Sequence, residues 1–466
     1  MPTFLSIIAK FLSLLPEGLL RIVCHSLGNL FFVGSKRRRR IILSNLNRAF
    51  PEKSRGDLEW LGKTSCRRMI EMSLLSFCAG QFSKARIRKS LIVSDSVRKF
   101  FRSRIDSKRP VVYLVPHFTL MEMQPWLKTV LPCEQDREII CIYRSLNQSA
   151  LETHIKASRE KHGTQFRSRK EGFVECMQCL RRGGQVSILF DQNARKSGAL
   201  VYFMGRLCAA TDLPGILAKK FDAEIRTIWV ERTAFWRGEL KVEALPDDWA
   251  ASPEKLTAGS QIWLEEQFKK APKTIPDWLW SHNRWRTESS PDTRFSLQNK
   301  KVWLQRSVEM AGVREMPRKT YVLMNLPHSP DLARSLVPVL ETIQRARPDM
   351  AIWVMGEPSV LSSSSLKRLA GREIRLEGAI SYSTIIADLK QEYLDTICDW
   401  DLSSPFSEFW AYADCPQIFG WTPQTSRSHG FTHTFERPGE GMTSETFQAA
   451  CFSFAAHFGL EISKDS

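Results

Sequence analysis

Val111–Trp126 reads VVYLVPHFTLMEMQPW. Five apolar residues, mostly β-branched or aromatic, predict a buried parallel strand, and Pro116 stops it. His117 and Glu122 follow with four residues between them. An acid–base pair at the carboxyl end of a strand stands where open α/β sheets build their sites. On one continuous helix, residues five apart diverge by about 140°. The two side chains therefore converge only if His117 lies on the loop and Glu122 in the first turn of the next helix. Glu122 would then accept from one imidazole nitrogen, fix the tautomer and leave the other nitrogen as a base. A capping histidine beside a surface glutamate has the same spacing, so spacing alone leaves both readings open.

Downstream, Glu138 to Tyr143 (EIICIY) predicts a second buried strand, closed by Arg144. Ala150 to His162 predicts a helix that carries Arg159, and Gly163 ends it. After Arg167, Arg169 and Lys170, a helix over Glu171 to Arg182 leads to a third strand, Gln185 to Phe190, with Asp191 at its carboxyl end. This alternation predicts an α/β layer fold whose strand ends supply His117, Arg144 and Asp191.

The 466 residues suggest two or three domains, and a 43% hydrophobic content is ordinary for globular protein. The net charge of +17 is uneven: residues 1–295 hold 50 Lys+Arg against 30 Asp+Glu, and residues 296–466 hold 17 against 20. Only the first part is suited to an anionic partner. The eleven cysteines show neither zinc spacing nor a disulfide framework, which fits a reducing compartment and predicts no metal.

Residues 1–34 are apolar but interrupted by Lys10, Pro16, Glu17, Arg21 and His25, too short in each piece for a span of roughly 20 residues. Apolar residues at helical spacing predict two helices in or dipping into a membrane interface. The run SKRRRR, Ser35–Arg40, follows directly and suits anionic head groups. It lacks the interleaved aromatics of a base reader, so no nucleic acid is expected. Trp278, Trp280 and Trp285, interleaved with Arg284 and Arg286, suggest cation–π packing or an interfacial belt.

Larger blocks carry a resemblance. LPEGLLRIVCHSLGNLFF, RRRRIILSNLNRAFPE, VVYLVPHFTLMEM, IYRSLNQSALETHIKASREKHG, LFDQNARKSGALVYFMGRLCAATDLPGILAKK and WLWSHNRWR stand in that order over residues 16–290. This text resembles the lipid A biosynthesis acyltransferases, the late lauroyl and myristoyl transferases of Gram-negative bacteria. The resemblance implies a glycerolipid-acyltransferase-like α/β domain over 41–290, preceded by the membrane-interface helices and the basic run over 1–40. It implies transfer of an acyl chain from acyl carrier protein, or acyl-CoA, to a hydroxyl of a lipid A precursor at the cytoplasmic face of the inner membrane, with no cofactor beyond the thioester donor. His117 would be the base and Glu122 its orienting carboxylate; Arg144, Arg159, Arg169 and Asp191 would bind substrate. The small apolar stretch Val201 to Thr211 could line an acyl groove or simply pack the core.

Residues 291–300 read as a polar linker, and 301–466 alternate strand and helix as a Rossmann-like α/β domain without a G-x-G-x-x-G fingerprint. YVLMNLPHSPDLARSLVPVLETIQRARPDMAIWVM and CPQIFGW resemble the amino-terminal half of heptosyltransferase-type glycosyltransferases, with Pro330 in place of the usual Gly before Asp331. The sugar-nucleotide half has no counterpart. A non-catalytic domain that binds the acceptor glycolipid or a saccharide-synthesis partner protein is expected; a lipid-binding scaffold and a bifunctional enzyme are the alternatives. His429 and His433 in SHGFTH lack further metal ligands nearby.

Overall fold

The structure is a computed structural model that describes residues 2–132, 137–143, 145–168, 172–194, 198–285, 320–346, 350–377, 381–392, 394–402, 404–413, 415, 417–422, 430–435 and 443–457. Two compact units divide it, one built mainly from Met1–Phe203 and Ala210–Arg284, the other mainly from Gly312–Ser466.

The first unit opens with four helices, α1 (Pro2–Leu14), α2 (Glu17–Gly34), α3 (Lys36–Ala49) and α4 (Arg55–Cys78). On α2, Leu20, Cys24, Gly28 and Phe32 recur every fourth residue and are buried, which is one helical stripe. Gly28 lets α2 approach α4: a Cβ there would lie 2.6 Å from the Arg67 backbone. The opposite stripe is open, with Ile22, Leu30 and Val33 more than 60% exposed and Phe4, Ile7 and Phe11 of α1 equally so. Among the described residues no single helix is long and apolar enough to cross a membrane; α2 and α3 meet at a 94° bend. The basic run forms the first turn of α3, where Lys36, Arg37 and Arg38 are exposed while Arg39 pairs with Glu59 at 3.2 Å.

The strands of this unit are β1 (Leu91–Val93), β2 (Val111–Val115), β3 (Ile139–Tyr143), β4 (Gln165–Ser168), β5 (Gln185–Leu189), β6 (Ala199–Phe203), β8 (Glu224–Ala234) and β9 (Arg237–Ala244); β7 (Arg206–Ala210) stands between β6 and β8 in sequence. Seven of them form one sheet in the order β1-β9-β8-β2-β5-β3-β4. β2 is central and wholly buried, as its unbroken apolar run requires. It runs parallel to β5, with Leu114 opposite Ile188, and to β8, with Leu114 opposite Thr227. The β8–β9 hairpin is antiparallel. Three expected strands and their connecting helices are present; edge strand β4, only four residues long and holding Arg167, gave no apolar signal.

The second unit contains β10 (Thr320–Asn325), β11 (Met350–Gly356), β12 (Arg372–Arg375), β13 (Thr396–Asp399), β14 (Ile418–Trp421) and β15 (His433–Phe435). All neighbours are parallel, in the order β12-β11-β10-β13-β14-β15. That is the Rossmann order. The helix expected after β10 is two pieces, Pro330–Ser335 and Val337–Ala346. Pro338 cannot donate into a continuous helix, so the chain restarts there. The expected linker lies outside the described residues, as does His429.

Candidate active site

Pro116 ends β2 and leaves His117 on the loop, as expected, and Glu122 lies in the first turn of a 3₁₀ segment, Met121–Trp126. The two side chains do not pair with each other. Asp191, just past β5, takes the imidazole: its Oδ1 is 2.5 Å from His117 Nδ1, and its Oδ2 accepts from the His117 backbone N–H at 2.8 Å. Trp278 Nε1 donates to the same Oδ2 at 2.6 Å. The expectation that Glu122 orients His117 is therefore corrected. β2 and β5 are adjacent and parallel, so the loops at their carboxyl ends meet, whereas Glu122 points to another partner.

That partner is Arg159. Its Nε donates to Glu122 Oε2 at 2.8 Å and its Nη2 to Oε1 at 2.5 Å, the two-pronged geometry that guanidinium and carboxylate share. Glu122 is 5% exposed. The guanidinium lies 5.3 Å from the Phe166 ring centre and 5.9 Å from that of Tyr143, which adds cation–π attraction.

Burial alone would raise the Asp191 carboxyl, but the adjacent His117 charge and the hydrogen bonds from His117 and Trp278 outweigh it and hold the group below the usual carboxylate range. An ionised Asp191 accepts, so Nδ1 carries a proton, and in the neutral ring Nε2 then keeps its lone pair. Gln192 Nε2 is 2.9 Å from that nitrogen and donates to it.

His117, Glu122, Arg159 and Gln192 all face one cavity of about 610 Å³, whose remaining wall is largely apolar, including Ile139, Ile142, Phe166, Phe173, Ile188 and Leu279. Of the described side chains in the stretch expected to line an acyl groove, Thr211 alone reaches this wall; Val201, Phe203 and Ala210 are core. Cys141 is also in the wall, and burial pushes its thiol up to about 12, so it is inert as a nucleophile.

Trp278, Trp280 and Trp285 are buried, which excludes the interfacial belt. Arg284 stacks instead on Phe203, 5.4 Å from its ring centre. Trp278 is brought to Asp191 by its neighbours: Phe118 bridges to Trp278, and the Thr119 N–H donates to the Asp277 carbonyl at 2.9 Å. Behind the site Asp277 is also new; burial pushes it up to about 6, against the pull of Arg68 and Arg232. Arg144 and Arg169 lie outside the described residues. No group of metal-ligating side chains occurs among the described residues.

The family model for bacterial lipid A biosynthesis acyltransferases matches residues 3–287. The chain belongs to that family. Lipid A acyltransferases are membrane-associated, and membership implies an acyltransferase of lipid A biosynthesis whose substrates are an acyl donor and a lipid A precursor. The match covers most of the first unit, and residues 288–466, which hold most of the second, are outside it. No curated protein matches the chain.

Proposed function

We propose that this chain transfers a fatty acyl group from an acyl carrier protein thioester to a hydroxyl of a lipid A precursor, with His117 as general base. The observation that carries this reading is the His117–Asp191 pair at a cavity that joins polar groups to an apolar wall. Asp191 holds the proton on Nδ1, so Nε2 takes the proton of the acceptor hydroxyl as its oxygen attacks the thioester carbon. The carbon–sulfur bond then breaks, and the imidazolium returns the proton to the leaving thiolate.

The hydroxyl takes the place that the Gln192 amide holds beside Nε2. The displaced N–H₂ is left close to the reacting carbonyl, where donors to the developing oxyanion are most effective. Arg159, fixed by Glu122, offers its remaining N–H groups to the cavity and suits a phosphate of the lipid or of the carrier's prosthetic arm. The apolar wall suits the acyl chain. The open faces of α1 and α2 beside Lys36–Arg38 fit an anionic membrane surface, and we place the protein at the cytoplasmic face of the inner membrane. The second unit would serve the acceptor glycolipid or a partner protein.

The test is acyl transfer to a tetra-acylated lipid A precursor with wild type and His117→Ala. A drop on the order of 10²-fold or more supports the base, and equal rates reject it.

A further inference from the structure

Gln192 stands between two clamped neighbours. Beyond Leu189 the chain leaves the ladder of β5, so residues 191–193 do not take their places from strand pairing and need other partners. Asp191 is held by the His117 backbone N–H and by the indole of Trp278. Asn193 is held by His282: its backbone N–H donates to His282 Nε2 at 2.9 Å, and its Nδ2 donates to the Arg284 carbonyl at 2.9 Å. Residues 278–284 thus grip the stretch on either side of Gln192. From between the two grips, Gln192 Nε2 meets His117 Nε2 at 2.9 Å.

That gripping segment is itself anchored by the helices packed on it. Asn45 of α3, 1% exposed, donates through Nδ2 to the carbonyls of Trp280 at 2.9 Å and His282 at 2.7 Å. A side-chain amide has two N–H donors, and Asn45 gives both to this segment. Ser65 of α4 donates to the Trp278 carbonyl at 3.2 Å. The His282 backbone is therefore fixed from behind, while its ring reaches the wall of the cavity that holds His117.

We propose that His282 is a positioning residue: through its bond to the Asn193 backbone it sets where the Gln192 amide stands beside His117 Nε2. The kinetic consequence rests on the acyltransferase reading; the placement of Gln192 does not. A ring nitrogen accepts from a backbone N–H only while it keeps its lone pair, so His282 does this as the neutral ring. What the position requires is one acceptor atom at one reach. Glutamine can place its carbonyl oxygen near the point where histidine places Nε2, asparagine is one methylene too short, and leucine offers no acceptor. A misplacement of about 1 Å at the reacting groups can cost on the order of 10²-fold in rate, so a bond one residue away from Gln192 is felt at His117.

The experiment uses the full chain with ring-15N histidine, the His117 resonances being identified by their loss in His117→Ala. His282→Leu, His282→Asn, His282→Gln and Gln192→Ala are compared with wild type, each checked for cooperative thermal unfolding. If His282→Leu does not fold, His282→Asn carries the same comparison. The expected result is that the His117 Nε2 resonance moves in His282→Leu and His282→Asn toward its position in Gln192→Ala, and stays near its wild-type position in His282→Gln. Single-turnover acyl transfer should fall by about 10- to 10²-fold in His282→Leu and His282→Asn, and His282→Gln should recover most of that loss. Added to Gln192→Ala, His282→Leu should cost little more, because both changes remove the same placement. An unmoved His117 resonance overturns the proposal, as does glutamine serving no better than leucine or an equal loss with and without Gln192→Ala. The resonance is read without turnover, so a failure of the acyltransferase reading would leave this placement separately decided.

Discussion

Asp191 grips His117 at two atoms, through Oδ1 on the ring Nδ1 at 2.5 Å and through Oδ2 on the backbone N–H at 2.8 Å. The carboxylate thereby fixes ring orientation and tautomer together. Asp191→Asn keeps the shape but can present its N–H₂ to the ring and favour the wrong tautomer. The expected outcome is a fall in kcat on the order of 10²- to 10⁴-fold with KM little changed. Near-wild-type kcat would remove Asp191 from the catalytic apparatus.

Glu122 and Arg159 form a pair with one face toward the cavity, and Glu122 is the more buried partner. Removing one partner strands a buried charge, so Glu122→Ala should cost about 3–5 kcal/mol in chemical unfolding. The Glu122→Leu, Arg159→Met double variant should cost less than the sum of the single changes. Strict additivity in that cycle would show that the pair is not coupled.

Gln192 donates to the nitrogen assigned as base. In Gln192→Glu a negative charge beside Nε2 favours the imidazolium, which cannot accept the substrate proton. The acidic limb of the pH–rate profile should therefore move to higher pH, while Gln192→Ala should lower kcat without moving that limb. An unmoved limb in Gln192→Glu would separate Gln192 from the base.

The open stripes of α1 and α2 lead to a membrane test. Ile22→Ser with Leu30→Ser, both more than 60% exposed in the native protein, should reduce flotation with anionic vesicles without altering thermal unfolding. Lys36→Glu with Arg37→Glu should weaken flotation most at low salt, since each cation near such a surface contributes about 1 kcal/mol. Unchanged flotation in both pairs would place the membrane contact elsewhere.

Burial pushes the Asp399 carboxyl from 3.8 up to about 6, against the hydrogen bonds from Ser404, Trp410 and Asn325. Because the folded value is raised, the native state holds the proton more tightly than the unfolded chain. The associated stability is full below about pH 4 and is lost as pH rises through about 6. Asp399→Asn should flatten that part of the stability–pH curve of the second unit. An unchanged slope between pH 4 and 6 would show that Asp399 is not the group titrating there.

The sequence showed much of this site but not its pairing. Pro116 stopping an apolar run was enough to put His117 on a loop and Glu122 in a first turn. The identity of the carboxylate on His117 depends on β2 lying next to β5, which joins residues 74 apart in sequence; no local spacing encodes that. Trp278 was legible only as an aromatic, because its role arises from the bridge to Phe118. In the second unit the alternation of strand and helix was legible, but β15, three residues of HTF, was too short and polar to register. The bond from Asn325 to Asp399 needed the strand order, which hydrophobic patterning does not contain.

The most direct measurement is single-turnover acyl transfer from an acyl carrier protein thioester to a tetra-acylated lipid A precursor, comparing wild type with His117→Ala at equal folded concentration. The expected result is turnover by the wild type and a rate lower by about 10²-fold or more in the variant. Equal rates would contradict general-base catalysis by His117, and a wild type that binds the lipid without turnover would contradict acyl transfer itself.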